Sequence, residues 1–226
     1  MKCTYRLLLC FALSILAASY AYPQQIGVKT GINYSKIAYD GPDAALKNAL
    51  MVYRQETLYG GFINFKLAPL VSLQLEGNYD PRGMQSEIPT YEGEGMFEGD
   101  EYQALDYFTV PLLVKAKLLV FFVEAGPYAG FLIKAKEIRN GTLTKTSDTG
   151  FVVSNHYTEI DNKEYWNTVD YGFVLGGGLS FKLGPVEVMG GARYHAGMAN
   201  ILKDNNSELK AQNRVMSVYA GLGLRF

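Results

Sequence analysis

Apolar and polar residues alternate along eight segments of the chain. The segments are 26–35, 57–67, 71–82, 106–118, 121–136, 169–183, 186–198 and 214–226. Alternation with a period of two places successive side chains on opposite faces of a strand. In the last segment, for example, Val218 and Ala220 share one face, whereas Tyr219 belongs to the other. The pattern therefore predicts eight strands and an all-β fold.

The connections between these segments alternate in length. Tight turns are predicted at 68–70, 119–120 and 184–185, and long connections at 36–56, 85–105, 137–168 and 199–213. Small barrels of the bacterial outer membrane have short turns on the periplasmic side and longer loops outside. The chain is thus predicted to form an eight-stranded antiparallel up-and-down transmembrane β-barrel with short periplasmic turns and long extracellular loops.

Aromatic residues fall at the two ends of the apolar face. In seven of the eight strands, the residue of that face nearest the long connection is aromatic: Tyr34, Tyr59, Tyr79, Phe108, Phe131, Tyr171 and Tyr194. Phe65, Phe121, Phe181 and Phe226 lie near the short turns or at the last strand's end. Rings of this kind form girdles at both interfaces of membrane barrels. The two sets are interpreted as such girdles.

The opposite face carries charges of both signs. They are Lys29, Lys66, Glu76, Lys115, Lys117, Glu124, Asp170, Lys182, Glu187, Arg193 and Arg225. The lumen of an eight-stranded barrel is only wide enough to be filled by side chains. An isolated buried charge is very unfavourable, so each of these groups needs a partner or water. We therefore expect an internal polar network of ion pairs and hydrogen bonds.

The N-terminal segment has the pattern of a signal peptide. Basic Lys2 and Arg6 precede an apolar run from 7 to 18, and small Ser19 and Ala21 precede the expected cleavage point. Residues 1–21 are therefore predicted to be removed on export, leaving one barrel domain over 22–226. Both cysteines lie in the removed segment, so no disulfide or cysteine-ligated metal is expected.

Composition limits the function classes. The net charge is −1, charged residues make up 19% and aromatic residues 13% of the chain. So few charges and so many aromatic residues are not typical of disordered proteins. A nucleic-acid partner is not expected, because the near-neutral charge balance argues against a protein of that class, which would carry a basic patch.

Catalytic, cofactor and metal sites are not predicted. The two histidines are His156, in the third long connection near Ser154 and Glu159, and His195, which should face the lumen beside Arg193. A hydrolase in the third connection is left as a remote alternative. The second connection concentrates carboxylates, which leaves open a divalent-cation site or a solvated acidic loop: Glu87, Glu92, Glu94, Glu98, Asp100 and Glu101.

Two further segments carry specific expectations. Gly176-Gly177-Gly178 lies within a strand, so these glycines are interpreted as making room for Tyr128, Tyr219 or Arg193. In the third connection, 151–153 and 157–160 are strand-like and flank 154–156, which predicts a hairpin above the membrane. Because exposed strand edges can capture a partner strand, 137–168 is the predicted surface for an envelope protein partner, unless the hairpin simply extends the barrel wall.

Several motifs resemble the outer-membrane β-barrel domain of Bacteroidota, known as the PorT-like or "porin family protein" group. They are 27–33 (GVKTGIN), 107–113 (YFTVPLL), 124–128 (EAGPY), 170–172 (DYG) and the C-terminal 219–226 (YAGLGLRF). The resemblance implies contact with outer-membrane lipid and lipopolysaccharide. It also implies that Phe226 ends the signal read by the barrel-assembly machinery. The group's name suggests pores and, through one member, type IX secretion.

Three functions remain open from the sequence. A structural or interaction protein that presents its loops to an envelope partner is favoured by a filled lumen. A small-solute porin is the alternative, although bulky Phe62, Tyr128 and Tyr219 on the inner face argue against an open channel. A lipid-modifying enzyme is disfavoured, since the apolar face of the strands carries no catalytic set.

Overall fold

The computed structural model describes residues 24–42, 44–86, 90–92, 95–147, 150–203 and 208–226. Its strands are β1 (Gln25–Asp40), β2 (Met51–Val52), β3 (Arg54–Ala68), β4 (Val71–Ser86), β5 (Thr90–Glu92), β6 (Gly95–Leu118), β7 (Phe121–Ser147), β8 (Gly150–Asp161), β9 (Val169–Leu183), β10 (Val186–Gly197) and β11 (Lys210–Arg225). Helix α1 spans Ala44–Leu50, and a 3-10 turn spans Lys163–Tyr165. Within these ranges, no helix is long and apolar enough to cross a membrane. The predicted signal peptide lies outside the described residues.

Eight long strands form a closed antiparallel ring in the order β1, β3, β4, β6, β7, β9, β10 and β11. The ring closes between β1 and β11, which pair from Gln25 opposite Arg225 to Asp40 opposite Lys210. Closure leaves no strand edge in the ring unpaired, as lipid requires. The predicted fold class is confirmed.

The ends of the ring differ as the connection lengths predict. Two-residue turns join β3 to β4, β6 to β7 and β9 to β10. Leu119 and Gly184 adopt positive φ in two of these turns, 56° and 64°, which matches the twist that tight hairpins need. By the rule for outer-membrane barrels, this end faces the periplasm.

The long connections are shorter than expected, because the strands continue beyond the ring. Strand β6 begins at Gly95 and β7 ends at Ser147, so most of 85–105 and part of 137–168 are strand rather than loop. In these extensions Phe97 and Leu143 are buried on one face, whereas exposed positions such as Glu98, Asn140 and Lys145 are polar. The apolar alternation that marks a membrane strand is therefore lost, although the backbone pairing continues.

The predicted hairpin in the third connection exists, but its turn was placed wrongly. Strand β8 is continuous from Gly150 to Asp161 and pairs along its length with β7. Residues 154–156 therefore lie in mid-strand opposite 141–143, and the strands reverse between Ser147 and Gly150. The consecutive polar residues Ser154, Asn155 and His156 favour a turn locally, but cross-strand pairing with β7 keeps them in the strand.

The apolar and polar faces separate as the alternation predicts. Residues of the predicted outer aromatic girdle lie on the outside of the ring, where Tyr59 and Tyr171 are more than half exposed. The Tyr59 and Tyr79 rings stack with centroids 5.0 Å apart, and the Tyr79 hydroxyl donates to Asp106 Oδ2 at 2.6 Å. The inside of the ring is filled, and it contains the residues that decide what the barrel can do.

Candidate functional site

A lower ion cluster lies in the half of the lumen nearer the tight turns. It consists of Lys29, Glu76, Glu124 and Arg193, all of them buried. Arg193 donates to both oxygens of Glu76 at 2.7 and 2.8 Å and through Nε to Glu124. Lys29 Nζ reaches Glu76 Oε2 at 2.5 Å. Arg193 thus joins carboxylates from two strands, β4 and β7, across the lumen.

Tyr219 completes the lower ion cluster. Its hydroxyl donates to Glu124 Oε1 at 2.7 Å, and the Arg193 guanidinium lies 4.4 Å from its ring centroid. Glu124 Oε2 has no hydrogen-bond donor among the described residues, and Lys115 Nζ lies 3.9 Å from it. The cluster is therefore well paired around Glu76 and less completely paired around Glu124.

An upper ion cluster lies closer to the extracellular end, where Arg82 is completely buried between two aspartates. Its guanidinium donates to Asp80 Oδ2 and to Asp170 Oδ2, each at 2.7 Å. The Tyr128 hydroxyl lies 3.2 Å from Arg82 Nη1, and His195 Nδ1 lies 3.4 Å from Nη2. One guanidinium thereby connects four side chains from four strands.

Apolar layers alternate with the ion clusters. Phe62, Phe122, Met189 and Tyr219 form a layer near the tight turns, and Leu113, Tyr128 and Val174 form a second one. Above the upper ion cluster lies an apolar cap, in which every member is at most 7% exposed: Ile37, Leu105, Tyr107, Leu132, Ala135, Trp166, Ile201 and Ala211. The described interior is closed at several levels, as the narrow lumen of an eight-stranded barrel allows.

Glycines on the inner wall make room for the large interior side chains. A Cβ built on Gly176 would lie 2.7 Å from Arg193 Cγ, and one on Gly178 would lie 2.8 Å from the Phe122 ring. A Cβ on Gly191 would lie 3.1 Å or less from the Tyr219 ring and hydroxyl. Of the three glycines 176–178, the prediction is confirmed for Gly176, which accommodates Arg193, whereas Gly178 accommodates Phe122 and the room for Tyr219 comes from Gly191.

The residues expected in the polar network occupy two environments. Lys29, Glu76, Glu124, Asp170 and Arg193 are buried in the two ion clusters. The remaining six lie at the mouth with the tight turns: Lys66, Lys115, Lys117, Lys182, Glu187 and Arg225. There Lys117 Nζ pairs with Glu187 Oε1 at 2.6 Å.

For Lys66 and Lys182 the expectation of a lumen network partner was wrong. Both are exposed, and neither they nor Arg225 form an ion pair with a described residue. The alternation places them on the inner face, but they lie so near the strand ends that water reaches them. Alternation predicts which face a residue belongs to and does not predict its depth.

Sequence reasoning missed the centre of the upper ion cluster. Asp80 and Arg82 have the same inward parity as Glu76, so the alternation would have included them if it had been followed past Asn78. Pro81 and Gly83 interrupt the apolar set there, so Asp80 and Arg82 were not assigned to the inner face although the predicted strand 71–82 contained them. The apolar cap had a weaker signal, because Trp166 and Ile201 come from connections between strands.

The two histidines lie in different surroundings. His195 is buried against Arg82 and the Tyr128 ring, as its inward parity predicts. His156 packs edge-on against Phe97 and contacts the Thr158 hydroxyl at 2.9 Å. Within the described ranges, no three His, Cys, Asp or Glu residues converge as metal ligands. Of the acidic loop, Glu87 and Glu94 lie outside those ranges, while Asp100 accepts from Gln85 and Glu101 pairs with Arg139.

The β7–β8 hairpin, whose described residues are 136–147 and 150–161, carries exposed apolar side chains beyond the ring. Phe151, Val153 and Tyr157 point to one side of β8 and are 64–78% exposed. Near its base, Lys136 Nζ donates to Glu159, and this hydrogen bond holds the pKa of the Glu159 carboxyl below its usual value. In the described residues, β7 is the one strand that pairs with β8, so the other edge of β8 is not covered by a described strand.

Solved structures with a similar arrangement are distant. Neisserial surface protein A shares 12% identity with a TM-score of 0.37, covering 89% of this chain and 97% of that protein. Ail, the attachment invasion locus protein of Yersinia pestis, shares 15% identity with a TM-score of 0.33, covering 91% of this chain and 100% of that protein. CarO of Acinetobacter baumannii shares 14% identity with a TM-score of 0.39, covering 87% of this chain and 97% of that protein. Likenesses at this level carry no argument about function.

Sequence comparison is more informative about the family. No curated protein matches the chain significantly. A family model described as "Outer membrane protein beta-barrel domain" matches residues 22–203, which is most of the chain and includes seven of the eight ring strands. The chain therefore belongs to this family of β-barrel proteins, and it resides in the bacterial outer membrane among its lipids and lipopolysaccharide.

Proposed function

We propose that the protein is a non-conducting, non-enzymatic barrel that presents its extracellular hairpin to another component of the envelope. The observation that carries the proposal is the filled interior. Two ion clusters, the apolar layer with Phe62 and the apolar cap occupy the lumen in series, and together their side chains come from every strand of the ring. A barrel closed in this way is suited to hold a display surface in the membrane rather than to pass solutes.

A porin is the competing function, and conductance separates the two. We expect the purified protein to give no stable single-channel steps in planar lipid bilayers, since Arg82, Arg193 and the apolar cap leave no continuous aqueous path. A general porin inserted from the same detergent provides the positive control. Reproducible ohmic steps from a preparation of folded monomeric barrels would contradict closure and favour the porin.

An enzymatic role is not supported by the placement of the titratable groups. His195 is buried inside the barrel and His156 stands on the hairpin, so neither histidine lies on the lipid-facing surface. A lipid hydrolase of the Ser-His-acid type needs its base in contact with lipid. The proposal therefore assigns no catalytic residue.

The hairpin is the surface that best suits a protein partner. Its apolar side chains are exposed, and the free edge of β8 can add a strand from another chain. The resemblance to the PorT-like proteins of Bacteroidota supports an envelope partner, and a subunit of a secretion machinery is one candidate. That the barrel-assembly machinery reads Phe226 remains a prediction.

Site-specific photo-crosslinking in cells tests the partner. A photoreactive residue at Tyr157, which is 64% exposed on β8, should give one discrete crosslinked species. The same residue at Leu46, also 64% exposed but on α1, is the matched control and should not give that species. Crosslinks of equal pattern at both positions, or none at Tyr157 in abundant folded protein, would contradict a specific hairpin partner.

A further inference from the structure

The mouth with the tight turns encloses a cavity of about 330 Å³. It lies below the lower apolar layer, since Lys115 on its wall contacts the Phe122 ring at 3.8 Å and Met189 Sδ at 3.7 Å. The lumen beyond that layer is filled by the lower ion cluster. The cavity is therefore a blind vestibule that opens toward the periplasm.

The vestibule is strongly cationic. Five of its lining residues are basic and one is an acidic side chain: Lys66, Lys115, Lys117, Lys182, Arg225 and Glu187. Glu187 is already engaged, because Lys117 Nζ lies 2.6 Å from Oε1 and Gln25 Nε2 lies 3.4 Å from Oε2. Even if a main-chain carboxylate at Phe226 is counted, cations outnumber carboxylates in this small volume.

Lys115 gives an independent indication of a ligand. Lys115 is 4% exposed, and the only hydrogen-bond acceptor of its ammonium among the described residues is the Met189 thioether. The nearest carboxylate oxygen, Glu124 Oε2, lies 3.9 Å away, which is too far for a hydrogen bond. A buried ammonium normally has stronger acceptors than a sulfur atom and a ring face. Lys115 is one of the residues that line the vestibule.

We propose that the vestibule is a binding site for a phosphate-bearing small molecule from the periplasmic side. A phosphate group supplies several acceptor oxygens and more than one negative charge, so it can satisfy Lys115 together with lysines from the mouth. Amide side chains of Gln25 and Asn64 in the same cavity add neutral donors. The volume suits a small ligand, since it lies at the lower end of the range for small-molecule pockets.

The neutral alternative is a basic rim that is merely solvated. It accounts for Lys66 and Lys182, which water reaches, but not for Lys115, whose ammonium is withdrawn from water without an oxygen within hydrogen-bond distance among the described residues. The basic residues are also concentrated at one end of the barrel, because Lys66, Lys182 and Arg225 come from three different strands and meet at the same mouth. Such convergence raises the local anion concentration at the opening.

Calorimetric titration of the full barrel tests the site. The protein is placed in phosphatidylcholine nanodiscs at low ionic strength and titrated with pyrophosphate. We expect saturable one-to-one binding that weakens at least about tenfold in Lys66→Gln/Lys182→Gln, which removes two charged donors from exposed positions without disturbing the fold. Lys115→Met should also weaken pyrophosphate binding. Heat-modifiable migration of the Lys115→Met variant on gels shows whether its barrel is folded.

The matched control is Lys134→Gln/Lys203→Gln, which removes the same charge from exposed positions far from the vestibule. Its affinity should equal that of the unmodified protein. No saturable pyrophosphate binding, equal weakening in the control, or binding of citrate in place of pyrophosphate would overturn the proposal. Nanodiscs that contain phosphatidylglycerol identify the source: competition with pyrophosphate assigns the site to a lipid phosphate, and unchanged binding assigns it to a soluble one.

Discussion

Arg82→Met is expected to lower the free energy of unfolding by about 3–5 kcal/mol. The arginine is completely buried and holds Asp80 and Asp170 at 2.7 Å each. Methionine fills similar volume but leaves two carboxylates facing each other without a cation. The loss therefore comes mainly from the orphaned charges rather than from a cavity. Urea titration of the barrel in lipid vesicles, followed by tryptophan fluorescence, measures the change.

Two further variants separate this explanation from simple loss of packing. Arg82→Met/Asp80→Asn/Asp170→Asn removes the orphaned charges and should recover part of the lost stability. Arg225→Met changes an arginine at the mouth that has no ion pair with a described residue, and it should shift the stability by less than about 1 kcal/mol. If the triple variant were no more stable than Arg82→Met, the ion pairs would not be the source of the effect.

The arrangement of strands was predictable because the membrane imposes a strict alternation on each of them. Strand β9 matches its prediction at both ends, 169–183, since its outward residues remain apolar along its whole length. Strands β6 and β7 extend much further than expected, because their outer parts leave the membrane and no longer need an apolar face. The alternation thus marks the membrane-crossing part of a strand and not its full extent.

The composition of the interior was predictable, but its connections were not. Parity placed Glu76, Glu124 and Arg193 inside, yet the pairing of Arg193 with both carboxylates depends on the shear of the closed ring. The same limit applies to the apolar cap, where Trp166 approaches Ile201 through backbone contacts between the third and fourth connections. Residue depth likewise depends on where each strand crosses the membrane, which is why Lys66 and Lys182 were misplaced.

The layered interior also explains why the two mouths differ. At the extracellular end, apolar side chains from several connections seal the barrel above the upper ion cluster. At the periplasmic end, the turns contain only two residues each, and of these Pro69 and Leu70 line the rim of the vestibule without filling it. The inward-facing residues at the strand ends must therefore close the lumen at this mouth. Several of them are lysines, which leave an open, charged vestibule.

Arg193→Met is the second substitution with a large expected effect, again about 3–5 kcal/mol in the free energy of unfolding. It removes the three hydrogen bonds that join Glu76 and Glu124 across the lumen. The two carboxylates are not left in equal positions. Glu76 keeps Lys29 at 2.5 Å and accepts from the amides of Gln74 and Asn78, whereas Glu124 keeps the Tyr219 hydroxyl and a distant Lys115.

This asymmetry makes the rescue specific. Arg193→Met/Glu124→Gln should regain more stability than Arg193→Met/Glu76→Gln, because neutralising Glu124 removes the carboxylate that has lost its closest cation, while neutralising Glu76 leaves Lys29 buried without its partner. Both double variants carry the same net charge, so urea midpoints in the same vesicles compare them directly. Equal recovery would mean that the cluster responds to its total charge, and stronger rescue by Glu76→Gln would mean that Lys115 moves to replace Arg193 at Glu124.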